Sequence, residues 1–208
     1  MTKRIRSTPL AVAALGSMLL FGTSCNHNEA APEVEQLSRD TPEHLIEAFA
    51  KALSDRNLDD YACLLDDSYA YFFMVQDYEA AGVSAGAPYW GKTEDVTSTE
   101  KMFGSTQVTD IICALNPAEP PACAASPCTL DYHPDIRVTV DSGDHLITYW
   151  VRETVLHFVL GRDRYDSNLW VILEMGEEER GASFLPRLGL SPSAVEPSTF
   201  GQIKAMFK

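Results

Sequence analysis

Between residues 41 and 179 the apolar positions recur first at helical and then at strand spacing. Leu45, Ile46, Phe49, Ala52 and Leu53 form one stripe while Glu47, Lys51 and Asp55 face away, which predicts an amphipathic helix. Thr41-Pro42-Glu43 supplies its start: an N-cap hydroxyl, a proline with no amide to waste, and an acid at the positive end of the helix dipole. Asn57 reads as a left-handed stop, and Asp59-Asp60 open a shorter helix with Leu58, Tyr61, Leu64 and Leu65 inward. Ser68 to Val75 is aromatic and β-prone and predicts a first strand, with Tyr69, Tyr71 and Phe73 on one face and Phe72 and Met74 on the other. Asp77 to Pro88 reads as a loop. After Tyr89-Trp90-Gly91, Thr93-Glu94-Asp95 caps a third helix carrying Val96, Met102 and Phe103 and stopped by Gly104.

The strand-spaced half follows. Val108 to Leu115 is a candidate strand, and the next segment, N-P-A-E-P-P-A-C-A-A-S-P-C, carries four prolines that forbid regular structure. Ile136 to Val140 resumes a strand, and Asp141-Ser-Gly-Asp144 signals a hairpin. His145 to Asp163 and Leu169 to Glu179 are rich in Val, Ile, Leu, Thr and aromatic residues and read as two long strands around a tight polar connection, the core of the sheet. Gly181 to Pro197 looks like a loop, and Ser198 to Phe207 like a short helix that docks Phe200, Ile203 and Phe207 on one face. Helices first and long antiparallel strands afterwards define an α+β domain with helices on one face of a curved sheet.

The first 24 residues change the picture. Lys3, Arg4 and Arg6 precede an apolar run from Leu10 to Phe21, and Gly22-Thr23-Ser24-Cys25 follows. A basic head, a short apolar segment and a small-residue end make an export signal, too short for a confident membrane span. Cys25 resembles the lipid-accepting cysteine of bacterial lipoproteins, although Gly22 stands where leucine is usual. The expected address is the bacterial envelope, lipid-anchored and by preference at the outer membrane facing the periplasm; plain secretion is the alternative. Residues 25–40 then read as a flexible tether, residues 41–179 as the domain, and 180–208 as a C-terminal loop and helix.

The 208 residues carry a formal charge of −14, and from residue 25 onward the chain holds 13 basic and 30 acidic residues, a net −17. Such a surface repels phosphate backbones, so nucleic acid is not an expected partner. Cys63, Cys113, Cys123 and Cys128 remain once Cys25 is assigned to lipid, and an even count in an exported chain favours disulfides. Cys123 with Cys128 would staple the proline-rich loop, Cys113 with either would tie that loop to a strand, and Cys63 suits simple burial. Cys123, Cys128 and His133 lack the tight spacing and fourth ligand of a zinc site. No metal or cofactor is expected: the chain has no glycine-rich phosphate loop, no G-x-S-x-G and no H-E-x-x-H.

T-P-E-H-L-I-E-A-F-A-K-A-L-S-D-R-N-L-D-D-Y-A-C-L-L-D-D-S-Y-A-Y-F-F, then Y-W-G-K-T-E-D-V and L-W-V-I-L-E-M, together resemble the nuclear transport factor 2-like superfamily, which includes ketosteroid isomerase-like and polyketide cyclase-like proteins. The Cys-ended signal, Trp90-Gly91 and the closing S-T-F-G-Q-I-K-A-M-F resemble uncharacterised bacterial lipoproteins carrying that domain. The resemblance implies a cone formed by helices and a concave sheet face, often open at one end as a pocket for a small apolar ligand. Tyr71, Phe73, Trp90, Trp150 and Trp170 are its candidate walls.

Two candidates for general-base chemistry follow. Strand alternation puts Glu174 with Trp170 and Ile172, and the family's placing of that tryptophan turns the set toward the cone, where an apolar setting raises a carboxyl pKa. His157 shares a face with Glu153, but four residues along a strand is roughly 13 Å, so a histidine–carboxylate pair needs a partner from another strand. Isomerase chemistry in the family uses a tyrosine from the first helix as oxyanion donor, and Thr41 to Arg56 contains none. The sequence therefore favours a non-catalytic binding or interaction module over an isomerase- or dehydratase-type enzyme using Glu174 or His157, with dimerisation through the outer sheet face as the third reading.

Overall fold

The computed structural model describes residues 38–179 and 194–208. Helix α1, Pro42–Ser54, starts as its sequence dictates: the Thr41 side chain accepts from the His44 amide and Pro42 occupies the first turn. Its stripe, Leu45, Ile46, Phe49, Ala52 and Leu53, is buried. The left-handed residue ending this unit is Arg56, at φ 54°, and Asn57 instead caps α2, Leu58–Leu64, by accepting from the Asp60 amide. An asparagine between two helices satisfies either demand, and here the orphan amides of the second helix claim it.

Strand β1, Leu65–Phe72, buries Tyr69 and Tyr71, with Phe73 following on the same side. A 3-10 turn and the four-residue α3, Tyr78–Ala81, lead to β2, Tyr89–Gly91, and then to α4, Lys92–Gly104. Gly91, and not the expected Thr93-Glu94-Asp95 run, is the N-cap of α4, and Asp95 in its first turn is buried. The remaining elements are β3, Val108–Pro117; β4, Cys128–Asp141; β5, Leu146–Val151; β6, Thr154–Arg162; β7, Trp170–Glu179; β8, Ala194–Pro197; and α5, Phe200–Ala205.

The eight strands among the described residues join one sheet in the order β2-β1-β7-β6-β4-β5-β8, with β3 on the other edge of β4. The sheet is mixed where the sequence predicted antiparallel pairing throughout: β1 runs parallel to β7 and β5 parallel to β8. Part of the stretch read as loop is therefore a strand, since residues 194–197 extend the sheet. The long strand expected from His145 also divides at Arg152 and Glu153 into β5 and β6, which follow one another along the same edge of β4. Pro134, which lacks an N–H for the ladder, stands opposite the break.

Helices α1, α2 and α4 cover the concave face and seal a core of Leu45, Phe49, Tyr61, Ile136, Phe158 and Ile172. The architecture is that of the α+β cone implied by the resemblance: helices packed on one face of a curved sheet. Phe200 and Ile203 of α5 belong to the same core.

Candidate functional site

The cone interior is built from aromatic rings and a few ionisable groups. Tyr71 meets Phe73 edge-on at 4.8 Å, Phe73 meets Trp90 at 4.7 Å, and Phe200 closes on Tyr71 at 6.2 Å between ring centroids. The Trp90 indole N–H donates to the Ala81 carbonyl, so its one polar atom is satisfied inside the core.

Helix α5 enters this interior from the end of the chain. Thr199 starts it with a capping box, accepting from the Gln202 amide while the Gln202 side chain accepts from the Thr199 amide. The Thr199 hydroxyl also donates to Asp77 at 2.7 Å. Phe200, Ile203 and Lys204 are each 0% exposed. Lys204 Nζ pairs with Asp95 Oδ1 of α4 and donates to the Tyr61 hydroxyl at 2.8 Å, and that hydroxyl donates to Asp95 Oδ2 at 2.6 Å. The Nζ lies 4.8 Å from the centroids of both Tyr71 and Phe200. Ser98, one turn beyond Asp95, donates to the Lys204 carbonyl at 2.6 Å and fixes α5 against α4. Burial pulls the Lys204 ammonium below the usual lysine range against the pull of Asp95, and holds the Tyr61 and Tyr71 hydroxyls well above the tyrosine range.

A second carboxylate, Glu177 of β7, holds the start of α5. It accepts from the Tyr71 hydroxyl at 2.6 Å and from the Phe200 and Gly201 amides at 2.8 Å each, with Thr154 at 3.3 Å. Burial raises its pKa, opposed by those donors.

Glu177, and not Glu174, is thus the carboxylate facing the cone. Opposite β6 the register slips: Val159 pairs with Glu174 and Leu160 with Ile172, leaving Leu173 as an extra residue. This bulge reverses the alternation, so Ile172 and Met175 are both buried while Glu174 is exposed on the outer face. Trp170, before the bulge, is 4% exposed, with Arg162 over its ring at 4.1 Å.

His157 lies on the same outer face, between the core residues Leu156 and Phe158. It does find carboxylates from other strands: Asp131 of β4 at 2.7 Å from Nδ1 and Glu178 of β7 at 3.1 Å from Nε2. His157 and Glu174 therefore share the outer sheet face, away from the cone. Trp150 also points away from the core row, alternating with buried Val151, and is stacked between Arg137 and Arg152 with its N–H on Asp135.

Cys123 and Cys128 form the disulfide that staples the proline-rich loop, whereas Cys113 is a buried free thiol and does not join it. Cys63 is half-buried on α2. Cys25 falls outside the described residues. Among those residues no three His, Cys, Asp or Glu are placed to hold a metal ion, and no helix is long and apolar enough to cross a membrane. Two hollows at the surface are open grooves: about 350 Å³ between α1 and the β3–β4 pair, beside Glu43, Glu47 and Tyr132, and about 190 Å³ beside Trp90 and Lys101.

Helices on the concave face of a curved mixed sheet, with β1 parallel to the last long strand, define an α+β cone of the nuclear transport factor 2-like type. Among solved structures, a ketosteroid isomerase-like protein from Erwinia carotovora atroseptica is similar at 12% identity and TM-score 0.45, covering 72% of this chain and 99% of that one. A nuclear transport factor 2-like protein from Cytophaga hutchinsonii is similar at 12% identity and TM-score 0.41 over 68% of this chain and 97% of that one. A candidate dehydratase of the same family from Streptomyces avermitilis is similar at 13% identity and TM-score 0.47, over 66% of this chain and 93% of that one. No protein-family model matches the chain, and comparison with curated proteins finds no match.

The signals for the interior cluster were partly present in the sequence. Lys204 sits among the apolar positions of the last helix, and Glu177 falls at the end of a strand otherwise read as core. Neither reveals its partner, because Lys204 meets Asp95 across 109 residues and Glu177 meets Tyr71 across 106.

Proposed function

We propose that the protein is a non-catalytic interaction module of the bacterial envelope, anchored by lipid on Cys25, whose cone serves as structural core and not as a ligand chamber. The observation that carries this reading is α5: Phe200, Ile203 and Lys204, all fully buried, occupy the space a small apolar ligand would take in an open cone. The outer-face positions of Glu174, exposed, and His157, half-buried, support it, since neither candidate base faces an apolar cavity. The Cys123–Cys128 disulfide suits an oxidising compartment outside the cytoplasm.

The surface offered to a partner is the outer sheet face. One row crosses it in register: Tyr89 beside Phe72, Phe72 beside Gly176, Gly176 beside His157, and His157 beside Asp131. Phe72 and Tyr89 are exposed aromatics 5.5 Å apart, and a polar histidine–carboxylate group lies next to them. An aromatic anchor with a charged flank is the composition of an interaction surface, for a second copy of the chain or another protein.

Native mass spectrometry of the full chain in detergent tests the filled cone. The expected spectrum is protein without a retained small molecule; a stoichiometric ligand lost on Phe200→Trp would overturn the reading. Cys25→Ala should move the protein from the membrane fraction to the soluble one, and unchanged fractionation would remove the anchor.

One observation favours an enzyme instead. Tyr61, Lys204 and Glu177 gather burial-shifted groups inside the cone, a pattern common in active sites. That reading requires α5 to swing out, and it predicts faster exchange of the α5 amides than of those in α1.

A further inference from the structure

We propose that Lys204 and Asp95 are joined by an amide bond, an internal cross-link that locks the C-terminal helix into the cone. The two side chains are paired and both are 0% exposed. The ammonium has two hydrogen-bonding partners, Asp95 and Tyr61, and otherwise lies over the rings of Tyr71 and Phe200, so the pair is wholly withdrawn from water. Removing two ions from water costs several kcal/mol each, and condensation to a neutral amide abolishes both charges.

Tyr61 completes the chemistry. Its hydroxyl accepts from Lys204 Nζ and donates to Asp95 Oδ2, which makes it a direct proton path from nucleophile to leaving oxygen. In the reaction Nζ gives up two protons and bonds to Asp95 Cγ. The Cγ–Oδ2 bond breaks, and Oδ2 takes both protons, by way of Tyr61, and leaves as water. One ammonium and one carboxylate become one amide and one water, with charge balanced and no oxidant or activating group required. Burial favours each stage: it draws the Lys204 pKa down, so the amine form is reached more readily, and keeps the Tyr61 proton available for relay. The Ser98 hydrogen bond to the Lys204 carbonyl holds the reactants together, so the encounter is effectively unimolecular.

The cross-link is read by mass alone, so its failure and the failure of the interaction reading are separate results. The full chain, denatured and digested with trypsin, should yield residues 93–101 joined to residues 188–208, lighter by one water than the two peptides together, because an acylated Lys204 resists cleavage. The free 188–204 peptide in stoichiometric amount would overturn the proposal. Lys204→Arg should return residues 93–101 as an unlinked peptide. Tyr61→Phe should slow the mass loss at least tenfold during refolding, and an unchanged rate would remove Tyr61 from the relay.

Discussion

Tyr71 donates its hydroxyl hydrogen to Glu177 at 2.6 Å, and the same carboxylate accepts the first two amides of α5. One acidic residue thus joins the parallel β1–β7 pair to the end of the chain. Glu177→Gln replaces an acceptor oxygen with an NH₂ group that must face a donor, so urea denaturation should show a loss of about 1–3 kcal/mol. Glu174→Gln, three residues away on the exposed face, should stay within about 0.5 kcal/mol of the parent. Equal losses would mean that the bulge at Leu173 does not separate the two environments.

The same bulge marks where sequence reading stops. Helix α1 was legible in full because Thr41, Pro42 and the Leu45–Leu53 stripe act locally. The face of Tyr69, Tyr71 and Phe73 was legible because alternation is uninterrupted there. Beyond Ile172 alternation continues in the letters but not in the backbone, since an extra residue is accommodated by the partner strand and leaves no compositional trace. The site suffered most: Glu174 was selected by parity and Glu177 passed over. Lys204 was not singled out on the docking helix, because a buried lysine is identified only by the distant acid that pairs with it.

Two glycines should respond with opposite signs to alanine. A Cβ on Gly201 would stand 2.9 Å from Phe73 Cδ1 and 3.2 Å from Asp77 Oδ2. The Phe73 ring cannot retreat, being held edge-on by Tyr71 and Trp90. Overpacking of about 1–3 kcal/mol therefore exceeds the gain of up to about 1 kcal/mol from helix propensity, and Gly201→Ala should lower the melting temperature. A Cβ on Gly104, the last residue of α4, meets nothing within 4 Å, so only the propensity gain remains and Gly104→Ala should raise it.

Cys113 is expected to be inert in the folded protein. Burial pushes its thiol up to about 12, with Asp135 adding in the same direction, so the reactive thiolate is scarce at neutral pH. Iodoacetamide should label it only above the denaturation midpoint of urea, whereas labelling of native protein at the rate of a free thiol would contradict its placement in β3.

His44 and Asp40 give a pH signature at the start of α1. The His44 ring Nδ1 lies 2.7 Å from Asp40 Oδ1, and the Ser38 hydroxyl donates to the same oxygen. These bonds, His44 first, lower the Asp40 pKa from 3.8 to about 2, and Asp40 raises that of His44 above its ordinary 6.5. For Asp40 the folded value is depressed, so its contribution is present above 3.8 and is lost as the pH falls through about 2. For His44 the folded value is raised, so its contribution is complete below 6.5 and disappears as the pH rises through the folded pKa. The pair therefore stabilises the helix start most between those limits. The dipole favours Asp40 and opposes a charged His44 at this end, so the raised histidine value depends on Asp40. NMR titration of the His44 ring should give a midpoint above 6.5, and Asp40→Asn should bring it down toward 6.5. A midpoint unmoved by Asp40→Asn would assign the shift to Glu43 and Glu47 instead.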